Sequence, residues 1–142
     1  MKTIHLNLIA FLLLVCTIGC GPNVTVTGKV TFPDGTPLTT GQVLFESPAM
    51  LARGRIQSDG TYSITTGELK GIPRGTYQVS ISGFEPTYVP APIGPQGHPM
   101  GAPQVIPPVI PIHRDFLDSI TSGLTVDVQG RTVFNITVRP PE

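Results

Sequence analysis

The sequence predicts an all-β fold, an antiparallel β-sandwich of six to seven strands with one long Pro-rich loop. Two observations predict it. From Val24 onward, apolar and polar residues alternate with a period of two in stretch after stretch, as in strands that bury one face. Glycine and proline stand at 16 each in 142 residues, a content that breaks helices and favours turns between extended segments. That part of the chain carries no convincing helical period.

The first predicted strand covers residues 24–32. Val24, Val26, Val30 and Phe32 share one face, while Thr25, Thr27, Lys29 and Thr31 share the other. Pro33-Asp34-Gly35-Thr36-Pro37 then turns the chain, with Gly35 free to take positive φ. Residues 42–45 form a second strand that points Val43 and Phe45 inward. A third, at 55–57, runs into an Asp59-Gly60 turn, and residues 61–65 alternate around Tyr62 and Ile64. Residues 76–82 place Tyr77, Val79 and Ile81 on one side. Leu124, Val126 and Val128 alternate with Thr125, Asp127 and Gln129. After a turn at Gln129-Gly130-Arg131, Phe134, Ile136 and Val138 complete the last strand. Short strands joined by Gly-rich turns are the pattern of a sandwich.

Residues 84–111 interrupt this pattern and hold nine of the 16 prolines. Proline fixes φ and withdraws a backbone donor, so the segment is expected to be extended, polyproline-like and outside the sheet ladders. It reads either as a loop lying over the sandwich or as a presented recognition segment. His98 is its only histidine. The aromatics that could form a binding surface with it are Phe84, Tyr88 and Phe116.

The start of the chain has another character. Lys2 and His5 precede ten mostly apolar residues, 6–15, and then small residues, the layout of a secretory signal. The run gives out at Gly19 and breaks at Pro22, short of the roughly 20 apolar residues that a membrane span needs. Thr17-Ile18-Gly19-Cys20 resembles a bacterial lipobox. The resemblance implies that residues 1–19 leave as a signal peptide, Cys16 among them, and that Cys20 becomes the lipid-modified N-terminus. Residues 20–22 are then a tether and 23–142 the domain. Two or more acyl chains hold a domain stably at a membrane, so the expected location is the bacterial cell envelope. The spacing of Cys16 and Cys20 is not that of a CxxC redox pair. A structural zinc site needs about four ligands, and His5, His98 and His113 are scattered.

Residues 26–38, VTGKVTFPDGTPL, together with GQVLF at 41–45 and SDGTY at 58–62, resemble the carboxypeptidase-regulatory-like, transthyretin-like β-sandwich repeats. GIPRGTYQV at 71–79 is similar to their G-x-P-x-G-x-Y-x-V strand entry. IPIHRDF at 110–116 and TSGLTVDV at 121–128 resemble a family of small bacterial lipoproteins, with Phe116 where members usually have Tyr. The resemblance implies a prealbumin-like, Ig-like sandwich on the envelope and carries no catalytic residues.

The chain has nine Lys and Arg against nine Asp and Glu, which lacks the electrostatic footprint of a nucleic-acid binder. Nucleophilic catalysis needs a Ser or Cys beside a His and an orienting acid. No G-x-S-x-G occurs, and beyond Cys20 there are two His and no Cys. A transthyretin-like hydrolase would end in Tyr-Arg-Gly-Ser, whereas this chain ends Val138-Arg139-Pro140-Pro141-Glu142. Asp115 and Asp118 read as solvated or turn residues, and Asp34, Asp59 and Asp127 are too dispersed for calcium. The expectation is a lipid-anchored envelope protein with a structural or accessory role, no catalytic, cofactor or metal site, and the membrane as its partner. The alternative is a module that binds an envelope protein or polysaccharide through the Pro-rich loop and nearby aromatics.

Overall fold

The structure, a computed structural model, describes residues 22–142. The predicted signal peptide, Cys16 and Cys20 therefore lie outside the described residues. The strands in chain order are β1 (Val26–Thr31), β2 (Gln42–Ser47), β3 (Met50–Arg55), β4 (Thr61–Ser63), β5 (Thr65–Thr66) and β6 (Leu69–Lys70). There follow β7 (Gly75–Ser82), β8 (Thr87–Val89), β9 (Gln104–Ile106), a 3₁₀ turn at Arg114–Leu117, β10 (Leu124–Val128), β11 (Thr132–Val133) and β12 (Ile136–Thr137).

Two sheets make an antiparallel β-sandwich. In one, β1 is flanked by antiparallel β4 on one edge and by β11 and β12, both parallel to it, on the other. The other sheet runs β10-β7-β2-β3-β5-β6, with every neighbour antiparallel. The chain changes sheets at Ile64, because β4 pairs with β1 while β5 pairs with β3. The inward faces of the alternating strands meet in one core around Phe45. Its ring lies 6.4 Å from Tyr62, 6.1 Å from Tyr77 and 6.2 Å from Phe134, centroid to centroid, within the range of favourable aromatic pairs. The predicted core positions are buried except Val24, Phe32, Leu124 and Phe134, which pack on its rim. Leu38, Ala52, Ile72, Ile112 and Phe116 join it.

The GIPRGTYQV segment closes one end. Val24 and Ile72 exchange two backbone hydrogen bonds of 2.8 and 3.0 Å. Gly71, at φ +83, lies so close to them that a Cβ would stand 2.4 Å from the Val24 carbonyl oxygen. The Tyr77 hydroxyl donates to the Pro73 carbonyl at 2.8 Å, pinning the entry of β7 to the strand four residues on, much as a tyrosine corner does.

Three elements differ from expectation. The strand expected at 55–57 lies at Met50–Arg55, because its inward positions are Ala52 and Gly54, too small to give an apolar alternation. The last strand divides into β11 and β12 around Phe134 and Asn135, and the Asn135 Oδ1 accepts from the Lys29 amide at 3.0 Å in place of a backbone carbonyl. The Pro-rich segment has a ladder of its own, the antiparallel pair β8–β9, with Thr87 opposite Ile106, Tyr88 opposite Val105 and Val89 opposite Gln104.

β7 sets the long axis. At its first residue, Gly75, the chain is next to Val128, and the Val24–Ile72 bonds lie nearby. At its last, Ser82, it pairs with Gln42, and the Pro-rich segment departs. Eight residues of strand separate the two ends by about 25 Å.

Candidate interaction surface

The segment leaves the sandwich through Gly83, at φ +80, and Phe84, which packs half-buried on the core rim. β8 and β9 then pair only with each other among the strands. Their tip is built by backbone bonds. The Gly94 amide donates to the His98 carbonyl at 2.9 Å, Gly97 donates to Gly94 at 2.9 Å, and Met100 donates to Pro92 at 2.7 Å. Ile93 and Pro99 form a further bridge. Nine prolines thus leave room for a two-stranded arm because they stand outside both ladder triplets, where no donor is required.

Much of what the arm shows to solvent is apolar. Tyr88 is 69 % exposed and Val109 87 %, and Ile93, Met100, Val105 and Ile106 are exposed as well. Between Glu85 and Arg114 the chain has no Lys, Arg, Asp or Glu. This charge-free run is the signal in the sequence that marks the arm, and counting prolines alone does not reveal it. An exposed apolar stretch without charges is unusual on a protein that has no partner.

The three predicted surface aromatics do not converge. Tyr88 is exposed on β8, and Phe84 lies at the root of the arm. Phe116 is a correction: it is buried, 7 % exposed, and cannot grip a ligand. The 3₁₀ turn packs Phe116 beside β7, where β10 has already ended at Leu124 opposite Val79, and so fills the open flank of the sandwich. The Arg139 guanidinium covers the ring at 6.0 Å from its centroid.

Several charged groups elsewhere are engaged locally. Asp115 Oδ2 lies 3.2 Å from Arg139 and 3.2 Å from His113 Nδ1, and His113 Nε2 lies 3.6 Å from Glu142. With the His113 amide bonded to the Arg139 carbonyl at 2.8 Å, this cluster fastens the chain's last residues to the 3₁₀ turn. Asp118 Oδ1 accepts from the Ile120 amide at 2.7 Å and shapes the next turn. Asp34 and Asp59 each cap their own turn. The Thr36 backbone amide holds the Asp34 carboxyl below its usual range, and the Thr61 hydroxyl, then the Thr61 amide, do the same for Asp59. Among the described residues no group of three or more His, Cys, Asp or Glu side chains is arranged to hold a metal ion. A polar concavity of about 400 Å³ lies at the root of the arm between Thr40, Gln42, Arg55 and Glu85.

No protein-family model and no curated protein matches the sequence. Among solved structures, the chain is similar to a DUF3823 family protein from Bacteroides ovatus, at 19 % identity and a TM-score of 0.46 over 84 % of this chain and 45 % of that one. It is similar also to a DUF3823 family protein from Parabacteroides merdae, at 16 % identity and a TM-score of 0.46 over 84 % and 47 %. The chain spans less than half the length of either.

Proposed function

We propose that this chain is a lipid-anchored, non-catalytic accessory protein of the bacterial envelope, whose sandwich of the carboxypeptidase-regulatory-like, transthyretin-like kind holds an apolar arm away from the membrane. The observation that carries the reading is the placing of the two ends. Val24 is fixed to Ile72 four residues after Cys20, and four residues of extended chain span at most about 14 Å. An acyl group on Cys20 therefore holds the sandwich close to the lipid surface. The arm departs from the far end of β7. The roles found for Gly71, Pro73 and Tyr77 support the transthyretin-like reading, since each residue of that motif has a structural task in closing the sandwich.

Radiolabelled palmitate tests the anchor. The full chain expressed in a bacterial host incorporates label, and Cys20→Ala does not. Label that persists in the variant overturns the reading.

The exposure of Tyr88 and its neighbours favours a second reading in which the arm is the working part and the protein is a binding module. A pull-down of envelope protein and polysaccharide fractions, comparing the intact domain with one lacking residues 86–109, separates it from a purely structural role.

A further inference from the structure

A hairpin of two three-residue strands is at best marginally stable in water by itself. This one is hydrogen-bonded to no other strand among the described residues, and all six of its ladder residues are exposed, so a cover would stabilise it. Strand addition does not provide one, because the ladder triplets are short and prolines at 86, 90, 103 and 107 flank them on both sides, the devices that blunt an edge. A face remains. Tyr88 and Val105 stand opposite each other on one side of the arm. Carrying the alternation one residue past each strand end places those four prolines on the same side. That face is entirely apolar, and it is rigid: proline loses no side-chain freedom on burial, and tyrosine has few torsions to fix. The opposite face mixes Thr87 and Gln104 with Val89 and Ile106.

We propose that the arm is the interface of a homodimer, in which the Tyr88–Val105 faces of two copies pack on one another across a two-fold axis. The occupant is argued from charge, area and geometry. The arm has no charge to neutralise a charged partner, and it meets no like-charge repulsion from a copy of itself. A standard interface takes about 800 Å² from each partner; Tyr88 and Val105, 69 % and 55 % exposed, make a smaller patch with their four flanking prolines, so the contact belongs to the weak, transient class. An isologous contact needs only one self-complementary patch. The geometric argument rests on the proposed lipid anchor. Copies anchored in one leaflet hold their arms at the same height, facing sideways, and confinement raises their effective concentration.

The test separates the dimer from the anchor by using the chain from residue 20 onward with Cys20→Ser, which retains every core residue and carries no lipid. Sedimentation velocity across the micromolar range shows a monomer–dimer equilibrium. Tyr88→Asp weakens it at least about tenfold, while Val133→Asp, equally exposed but on the other sheet, leaves it unchanged. Tyr88→Cys oxidises to a covalent dimer and Val133→Cys does not. A chain that stays monomeric throughout, or a dimer indifferent to Tyr88→Asp, overturns the proposal. So does a monomer that floats with phosphatidylglycerol vesicles through its arm, which would make the arm a lipid contact. The palmitate experiment stands or falls independently of all three.

Discussion

Gly28 occupies the middle of β1, where β-branched residues would otherwise serve the strand best. A Cβ there would stand 1.9 Å from the Phe134 carbonyl oxygen and 2.7 Å from the Tyr62 hydroxyl. The same carbonyl accepts the hydrogen bond of that hydroxyl, so the glycine lets the last strand and a buried tyrosine meet on β1. Gly28→Ala is expected to cost about 3 kcal/mol or more, read as a lower urea midpoint at unchanged m-value. Glycine inside an alternating run advertises such a close approach, but the sequence does not say what approaches. Burial of Tyr62 pushes its pKa well above the ordinary 10.0, and burial raises that of Tyr77 as well. Ionisation is thus harder in the folded chain than in the unfolded one. Their contribution is fully present below pH about 10, the unfolded value, and is lost as pH rises further. The melting temperature is expected to fall above pH 10. Tyr62→Phe should flatten that fall while losing about 1 kcal/mol at neutral pH with its hydrogen bond. A fall as steep in the variant as in the parent would assign alkaline unfolding to other groups.

Elements were legible wherever one face is lined by large apolar side chains. β1, β2, β7 and β10 follow the alternation closely, and their buried positions are the expected ones apart from Ser80 in β7. β3 was hidden because a strand in a crowded sheet can require small inward residues: a Cβ on Gly54 would lie 2.5 Å from the Ser63 carbonyl oxygen. Phe116 misled for the opposite reason, since an aromatic in a polar stretch looks exposed until the 3₁₀ turn and Arg139 close over it. The arm was half legible. Proline density gave its extended character and its distance from the main ladders, while pairing 15 or more residues apart depends on a turn at 94–97 that has no simple signature. Because β8 and β9 bury nothing in the core, replacing residues 87–109 by a short Gly-Ser linker is expected to leave the sandwich folded. At concentrations where the parent is monomeric, its melting temperature should lie within about 4 °C of the parent value, equivalent to less than about 1 kcal/mol. A larger loss would mean that the arm supports the body.

At the scale of the molecule, the first and last strands of the domain lie side by side. Thr25, Thr27 and Thr31 of the β1 segment accept backbone bonds of 3.0, 2.8 and 2.9 Å from Thr132, Phe134 and Val138. The period-two pattern names strands but not neighbours, and this pairing spans over a hundred residues with a parallel sense, so local reasoning could not reach it. It also decides how the fold fails. Without β11 and β12, β1 loses one whole edge, Ile136 and Val138 leave the core, and Phe134 no longer packs on Phe45. Each large apolar side chain withdrawn costs about 1.5–3 kcal/mol, and a domain of this size has only about 5–15 kcal/mol in total. A chain ended at Gly130 is therefore expected to lack cooperative unfolding and to show rapid amide exchange in β1 and in β7 alike, although β7 is in the other sheet. Protected amides persisting in β7 would show that the six-stranded sheet is an independent folding unit, and that the closure through β1 is not what holds the sandwich together.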